Sequence, residues 1–197
     1  MTMRLAPIST RLKFAELLNE RGLVGEAVEV GTHRAAFAVE FLRAWKGKTL
    51  WCVDPWDDSD KDYIARQLGA MNKGISREDD MAATIETLRS HIDSGLVKID
   101  RCRSIKSAKT FADDCLDFVY IDANYWHVMP DLMAWWPKVK SGGLLAGHDF
   151  VSPGEKLGGW GQNVQPAVLR FAEAQGVDVW LVVEESNQPW SFYLEKP

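Results

Sequence analysis

Two kinds of segment alternate along the chain. Short apolar runs predict buried strands at 27–30, 49–53, 96–99, 116–121, 143–146, 177–183 and 191–194. Segments with apolar residues at helical spacing predict helices at 8–20, 34–45, 77–94, 104–111 and 127–138, a short one at 63–68, and one from Gln162 or Pro166 to Gln175. In the second helix, for example, Ala38, Phe41, Leu42 and Trp45 share one face.

The order of these elements predicts an α/β fold. Strand and helix alternate five times, which is typical of a parallel sheet with helices on both faces. The last two strands are joined only by residues 184–189, and so short a connection favours an antiparallel hairpin. We therefore expect a three-layer, Rossmann-like sheet of seven strands, mostly parallel, with an antiparallel terminal strand.

Composition and charge narrow the classes of protein. A chain of 197 residues with 46% hydrophobic residues suits a single domain over 1–197, whose residues 1–23 pack on the core or cap it. The net charge of -5 disfavours nucleic acid as a partner, and no segment is apolar for long enough to suggest a membrane span. The three dispersed cysteines (Cys52, Cys102, Cys115) predict reduced thiols and a cytoplasmic location.

The turn after the first predicted strand carries a single glycine, Gly31, where a dinucleotide site has three. A ligand without phosphates needs the turn but not the other glycines. Glu29 precedes the turn, and its carboxylate suits a cation such as an amino group or a sulfonium. Asp54 ends the next strand, where an acid binds ribose hydroxyls. A nucleoside that carries an amino acid and no phosphate is S-adenosylmethionine (SAM).

Four segments extend this argument: EVGTHRAAFAVEFL, WCVDPW, DFVYIDANYWHVMPDLMAWWPKVKSGGLLAGHDF and SFYLEK. In this order they resemble the class I SAM-dependent methyltransferases, and within them the small-molecule, catechol-O-methyltransferase-like branch and its bacterial relatives. The resemblance runs from Glu26 to Lys196. It implies an enzyme that methylates a small-molecule acceptor at oxygen.

The resemblance also implies roles for particular residues. Glu29 and Gly31 match the motif that contacts the methionine part of SAM, and Asp54 matches the ribose-binding acid. The stretch 101–104 is where adenine contacts lie, which selects Arg103 and Ser104. Asp122 matches an acid beside the methyl-transfer site, which implies both a catalytic and a cofactor-binding role. His148 and Asp149 match a Gly-His-Asp-aromatic signature.

The chemistry at the strand ends has two forms. Asp122 and Asp149 end adjacent predicted strands and could together hold Mg²⁺ or another divalent cation, which lowers the pKa of a bound hydroxyl. His148 or His127 could instead act as the general base. The chain departs from the resembled pattern at three positions. Ala35 stands in place of a glycine, Tyr125 in place of the catalytic lysine and Phe150 in place of an asparagine.

Other interpretations stay open at this level. Glu29 could bond only main-chain donors, while Asp54 and Asp122 could be turn or capping residues. Three tryptophans flank the predicted pocket and could wall it or pack in the core: Trp56, Trp126 and Trp160. The chain could also be a non-catalytic SAM-binding domain or a nicotinamide-dependent oxidoreductase. The sequence does not define the acceptor, and a homo-oligomer is left open.

Overall fold

The computed structural model describes residues 1–57, 76–124, 126–150, 163–184 and 189–197. The strands are β1 Met3–Leu5, β2 Glu26–Val30, β3 Thr49–Val53, β4 Val97–Asp100, β5 Leu116–Ile121, β6 Val139–Phe150, β7 Val179–Val182 and β8 Trp190–Glu195. The helices are α1 Phe14–Glu20, α2 Ala36–Leu42, α3 Arg77–Thr87, α4 Arg89–Asp93, α5 Ser104–Ala108, α6 Val128–Trp135 and α7 Val164–Gln175. Turns of 3₁₀ helix cover Arg11–Lys13 and Trp136–Lys138.

All eight strands belong to one sheet, in the order β1-β7-β8-β6-β5-β2-β3-β4. Strand β8 is antiparallel to both of its neighbours, β6 and β7, and every other pair is parallel. The predicted α/β class and the antiparallel terminal strand are therefore confirmed, but the sheet has one strand more than the expected seven.

The additional strand is β1, at the edge of the sheet. Its three residues are all exposed, so no buried apolar side chain anchors it. Main-chain pairing with β7 holds it instead, together with an ion pair of 2.7 Å between Arg4 and Asp178. An edge strand this short is defined by its partner and not by its own pattern.

Most predicted elements agree with the structure to within a few residues. Strands β3 and β5 have the predicted bounds. The helix expected over 77–94 is two helices, α3 and α4, which meet at Leu88. The strand expected at 143–146 runs from Val139 to Phe150, because β6 pairs with β5 on one side and β8 on the other. The short helix expected at 63–68 lies outside the described residues.

The two faces of the sheet bury different side chains. In β2 and β5, the valines and Ile121 face the layer that contains α5, α6 and α7. Ala27, Phe118 and Tyr120 face the opposite layer, where α1 and α2 add further aromatic rings. The ring of Phe37 stacks on Tyr120 with centroids 3.8 Å apart. By the same alternation, Glu29 points into this aromatic layer.

The parallel strands deliver the candidate residues to one edge of the sheet. Strands β2, β3, β4, β5 and β6 end at Val30, Val53, Asp100, Ile121 and Phe150, and the residues matched to the family motifs lie within four positions of these ends. Ligands of open α/β sheets bind at this edge. No helix in the described part of the chain has the length and apolar character to cross a membrane.

Candidate active site

The turn after β2 has a left-handed backbone at three alternating positions. Gly31, His33 and Ala35 have φ angles of 91°, 51° and 63°. A Cβ atom on Gly31 would overlap the main-chain oxygen of Asp122, so glycine is needed where the ends of β2 and β5 meet. Ala35 stands where the resembled motif has a second glycine, and it nevertheless adopts the left-handed conformation. For a residue other than glycine this costs about 1–2 kcal/mol.

The Asp54 carboxylate is buried and fully engaged. It accepts hydrogen bonds from the main-chain N–H of His33 at 3.0 Å and of Trp56 at 2.8 Å. The Arg77 guanidinium lies 3.1 Å and 3.3 Å from its two oxygens. Asp54 thus joins the turn after β2, the loop after β3 and helix α3, an arrangement that the sequence did not reveal.

The three tryptophans considered for the pocket differ in their surroundings. Trp56 is 1% exposed and donates its indole N–H to the main-chain oxygen of His33, so it packs beneath the turn. Trp126 is 58% exposed beside the pocket residue Asn124, whose side chain accepts its main-chain N–H. Trp160 lies outside the described residues.

Glu29 is buried, and no cation of the described residues lies within hydrogen-bonding distance of it. It is 2% exposed, and its carboxyl oxygen lies 3.9 Å from the Cys52 thiol, which donates to it. The pKa of Glu29 is raised to about 8, chiefly by burial and in smaller part by the charges of Asp122 and Asp54, while a hydrogen bond from Thr32 opposes the rise. At neutral pH in the ligand-free protein, Glu29 is therefore mostly protonated.

Asp122, His148 and Asp149 come together at the ends of β5 and β6. His148 Nδ1 lies 3.2 Å from an Asp149 carboxylate oxygen and 3.9 Å from one of Asp122. One ligand atom from each residue falls within 4.8 Å of the others. Burial raises the pKa of Asp122; His148 lowers it and Asp149 raises it. The group combines two acids and an imidazole, so it can hold a proton or a divalent cation.

A bulge in β6 produces this grouping. The pairing of β6 with β8 shifts between Gly147 and Phe150, and Asp149 has a left-handed φ of 58°. In a regular strand, successive side chains point to opposite faces, so His148 and Asp149 would be separated. A bulge re-aims a side chain, and here it brings both residues to the same side as Asp122.

Arg11 is a site residue that sequence reasoning missed. Its Nη1 lies 3.4 Å from an Asp122 oxygen, and its main-chain N–H donates to Glu184 at 2.6 Å. The hydroxyl of Thr10 accepts from Leu12 and caps the turn that places Arg11. The sequence pattern did not indicate the direction of the Arg11 side chain.

The residues expected near adenine bind other parts of the protein. Ser104 donates to Asp131 at 2.5 Å and accepts from the Trp135 indole at 2.9 Å, which ties α5 to α6. Burial raises the pKa of Asp131 to about 6, against the effect of this hydrogen bond. Arg103 forms an ion pair of 3.1 Å with Asp57. A contact of Arg103 or Ser104 with adenine stays a prediction.

A concave surface opens above the three grouped residues. Asp122, His148 and Asp149 line it together with Asn124, and apolar side chains that include Val128 and Phe192 complete its wall. The alternative base His127 is exposed and is not among the lining residues of this pocket. The wall therefore combines two acids, an imidazole and an amide with apolar side chains.

Comparisons with known proteins agree with this geometry. A family model described as a methyltransferase domain matches residues 28–150. No curated protein matches the chain.

Three solved structures illustrate the likeness of the fold. The O-methyltransferase TomG from Streptomyces achromogenes, involved in tomaymycin synthesis and solved with SAM, is 14% identical over 95% of this chain and 79% of its own, with a TM-score of 0.65. The O-methyltransferase from Bacillus cereus, in complex with SAH, is 11% identical over 98% and 82% (TM-score 0.61). A SAM-dependent methyltransferase from Aquifex aeolicus is 17% identical over 96% and 93% (TM-score 0.60).

Proposed function

The chain belongs to the methyltransferase domain family, and from this premise we propose that it transfers the methyl group of SAM to a hydroxyl oxygen of a small molecule. Its class, a class I SAM-dependent methyltransferase, is the one that the sequence segments resemble. We choose oxygen as the methylated atom because Asp122, His148 and Asp149 are grouped beside the turn after β2. A hydroxyl acceptor must lose a proton, and this grouping supplies acceptors for it.

The cofactor lies along the carboxyl edge of the sheet in this proposal. Its methionine part meets Gly31 and Glu29, its ribose meets Asp54, and its adenine lies near Arg103 and Ser104. Support comes from the position of these residues at the ends of β2, β3 and β4. Two of the similar structures were solved with SAM or with SAH, the product S-adenosylhomocysteine.

His148 is the proposed general base. Its Nδ1 faces the oxygens of Asp149 and Asp122, which fixes the orientation of the imidazole and stabilises its charge when it takes a proton. The sulfonium of SAM is already activated, so the protein mainly holds the acceptor in line with the methyl group and removes the acceptor's proton.

The same residues fit a divalent cation. Two carboxylates are enough for Mg²⁺ when waters and the acceptor complete its shell, and the imidazole extends the choice to ions such as Mn²⁺ or Fe²⁺. Asp122 and Asp149 would hold the ion, with His148 as a third ligand. A bound ion would lower the pKa of an acceptor hydroxyl and stabilise the oxygen anion.

We further propose a single cytoplasmic domain that acts without nucleic acid or membrane. One sheet takes strands from both halves of the chain, which supports the single domain. The three cysteines are free thiols in the structure, as suits a reducing compartment. The acidic net charge disfavours nucleic acid. The acceptor and the number of subunits are not part of the proposal.

Binding and turnover test the proposal in sequence. SAH is titrated calorimetrically into the unmodified protein and into Asp54→Asn, and we expect micromolar binding that weakens about tenfold or more in the variant. Formation of SAH from SAM is then followed with a panel of small phenols, catechols and hydroxy acids, with and without EDTA. Binding without turnover on any acceptor would favour a non-catalytic SAM-binding domain. No binding of SAH would refute the proposed function.

A further inference from the structure

A buried ion-pair cluster lies beside the acid assigned to the ribose. Arg77, the first residue of α3, is only 8% exposed. Its Nη2 contacts both oxygens of Asp54, and its Nη1 donates to Asp80 at 2.7 Å. The side chain of Asp80 is completely buried. One guanidinium therefore bridges two acids, and only one of these is a proposed ligand of the cofactor.

The hydrogen-bonding capacity of Asp54 is already used. One of its oxygens accepts from the N–H of Trp56 and the other from the N–H of His33, and Arg77 adds a donor to each. A carboxylate has about four lone-pair sites. Four donor contacts fill them, so two ribose hydroxyls can bind Asp54 only if another donor leaves.

Of the donors to Asp54, the arginine is the one free to leave. The two main-chain N–H groups are fixed, because the oxygen of His33 is itself held by the Trp56 indole at 2.8 Å and the Thr84 hydroxyl at 2.7 Å. Arg77 shares one nitrogen between two oxygens at 3.1 Å and 3.3 Å, which is longer than its contact with Asp80. After leaving Asp54, it would still be paired with Asp80.

We propose that Arg77 sets the affinity of the cofactor site by occupying the ribose-binding oxygens of Asp54 in the free protein and yielding them to the ribose diol. The inference rests on the proposed function, in which Asp54 binds the ribose of SAM. When the nucleoside binds, Asp54 loses its charge-assisted contact with Arg77 and gains two contacts with the ribose hydroxyls. The unmodified protein binds the nucleoside more weakly than Asp54 alone would allow.

Two substitutions change this competition in opposite directions. Lysine at position 77 has a single nitrogen, and the shorter contact of 2.7 Å favours Asp80, which is completely buried and otherwise faces Arg34 and His33 only at 3.5 Å and 3.4 Å. Arg77→Lys therefore frees Asp54, and the nucleoside binds more tightly. Asp80→Asn removes the second acid, so that among the described residues Asp54 is the acid left to neutralise Arg77. The guanidinium then holds Asp54 more firmly, and the nucleoside binds more weakly.

Calorimetric titration with SAH separates these outcomes. We expect the dissociation constant to fall about threefold to tenfold in Arg77→Lys and to rise by a similar factor in Asp80→Asn. Arg89→Lys is the matched control, because Arg89 pairs with Glu86 on an exposed face of α4 and should leave SAH binding unchanged. Thermal melting of each variant establishes that it is folded.

A second measurement uses the unmodified protein. In a crystal structure with SAH, we expect the distance from Arg77 Nη2 to Asp54 to exceed hydrogen-bonding range, with the contact between Arg77 and Asp80 kept. This structure decides the question if either variant fails to fold.

Three results would overturn the inference. Arg77→Lys could fold and bind SAH no better than the unmodified protein. Asp80→Asn could bind SAH as well as the unmodified protein or better. The bound structure could show Arg77 still on Asp54. In all three cases SAH binds, so the proposed function survives. If the unmodified protein does not bind SAH, the proposed function fails and this inference fails with it.

Discussion

Substitution of Glu29 by glutamine tests whether a buried acid at the cofactor site is protonated. The pKa of Glu29 is raised from 4.5 to about 8, chiefly by burial. A raised pKa in the folded state means that the acid's contribution to stability is complete below pH 4.5. That contribution declines as the pH rises and is lost by the time it passes about 8. Glutamine has nearly the same shape and does not titrate.

The size of the effect follows from the two pKa values. At about 1.36 kcal/mol for each pKa unit, the unmodified protein should lose about 4 kcal/mol relative to Glu29→Gln between pH 5 and pH 9. Urea unfolding of both proteins at pH 5, 7 and 9 measures the difference, in which the contributions of all other groups cancel. Parallel pH profiles for the two proteins would refute the reasoning and show that Glu29 ionises freely when folded.

Three further substitutions test the turn, the tie between α5 and α6, and the base. In urea unfolding, Gly31→Ala should cost about 3 kcal/mol or more of unfolding free energy, because its Cβ overlaps the end of β5. The control is Gly22→Ala, at a position that is also left-handed but has open space around it, and it should cost about 1 kcal/mol. Ser104→Ala should cost about 1–3 kcal/mol of unfolding free energy, and more at pH 8 than at pH 5. The reason is that its buried partner Asp131 has a pKa of about 6 and is ionised at the higher pH. An equal loss at both pH values would contradict this. His148→Asn should slow methyl transfer about 100-fold or more and leave SAH binding unchanged, as single-turnover rates and calorimetry can show; a normal rate would exclude His148 as the base.

The sequence predicts the sheet well where apolar runs are continuous and chain connections are short. Strands β3 and β5 are buried over most of their length, so their bounds appear directly in the pattern. Acids that follow such strands must lie at one edge, which is why Asp54 and Asp122 could be selected without a structure. Strand β1 has no buried run of this kind, and it pairs with a strand that is distant in the chain.

The partners of the site residues could not be predicted in the same way. Arg11 and Arg77 reach Asp122 and Asp54 from elements far away in sequence, and nothing in the local pattern indicates which acid each will meet. The protonation of Glu29 depends on its burial in the fold and on the nearby acids Asp122 and Asp54. Sequence reasoning therefore placed the acids but could not assign their charge state or their neighbours.

The edge strand β1 has a consequence for the order in which the protein can fold. The N–H of Thr2 bonds Asp178, a residue 176 positions later in the chain, and Met3–Leu5 pair with the strand that follows it. At a synthesis rate of about 5–20 residues per second, the ribosome needs roughly 10–35 s to make the partner of this segment. Arg11 bonds Glu184, which emerges later still. The first residues of the sheet can therefore pair only after Asp178 and the strand that follows it have been made, and Arg11 meets its partner only after Glu184 has been made.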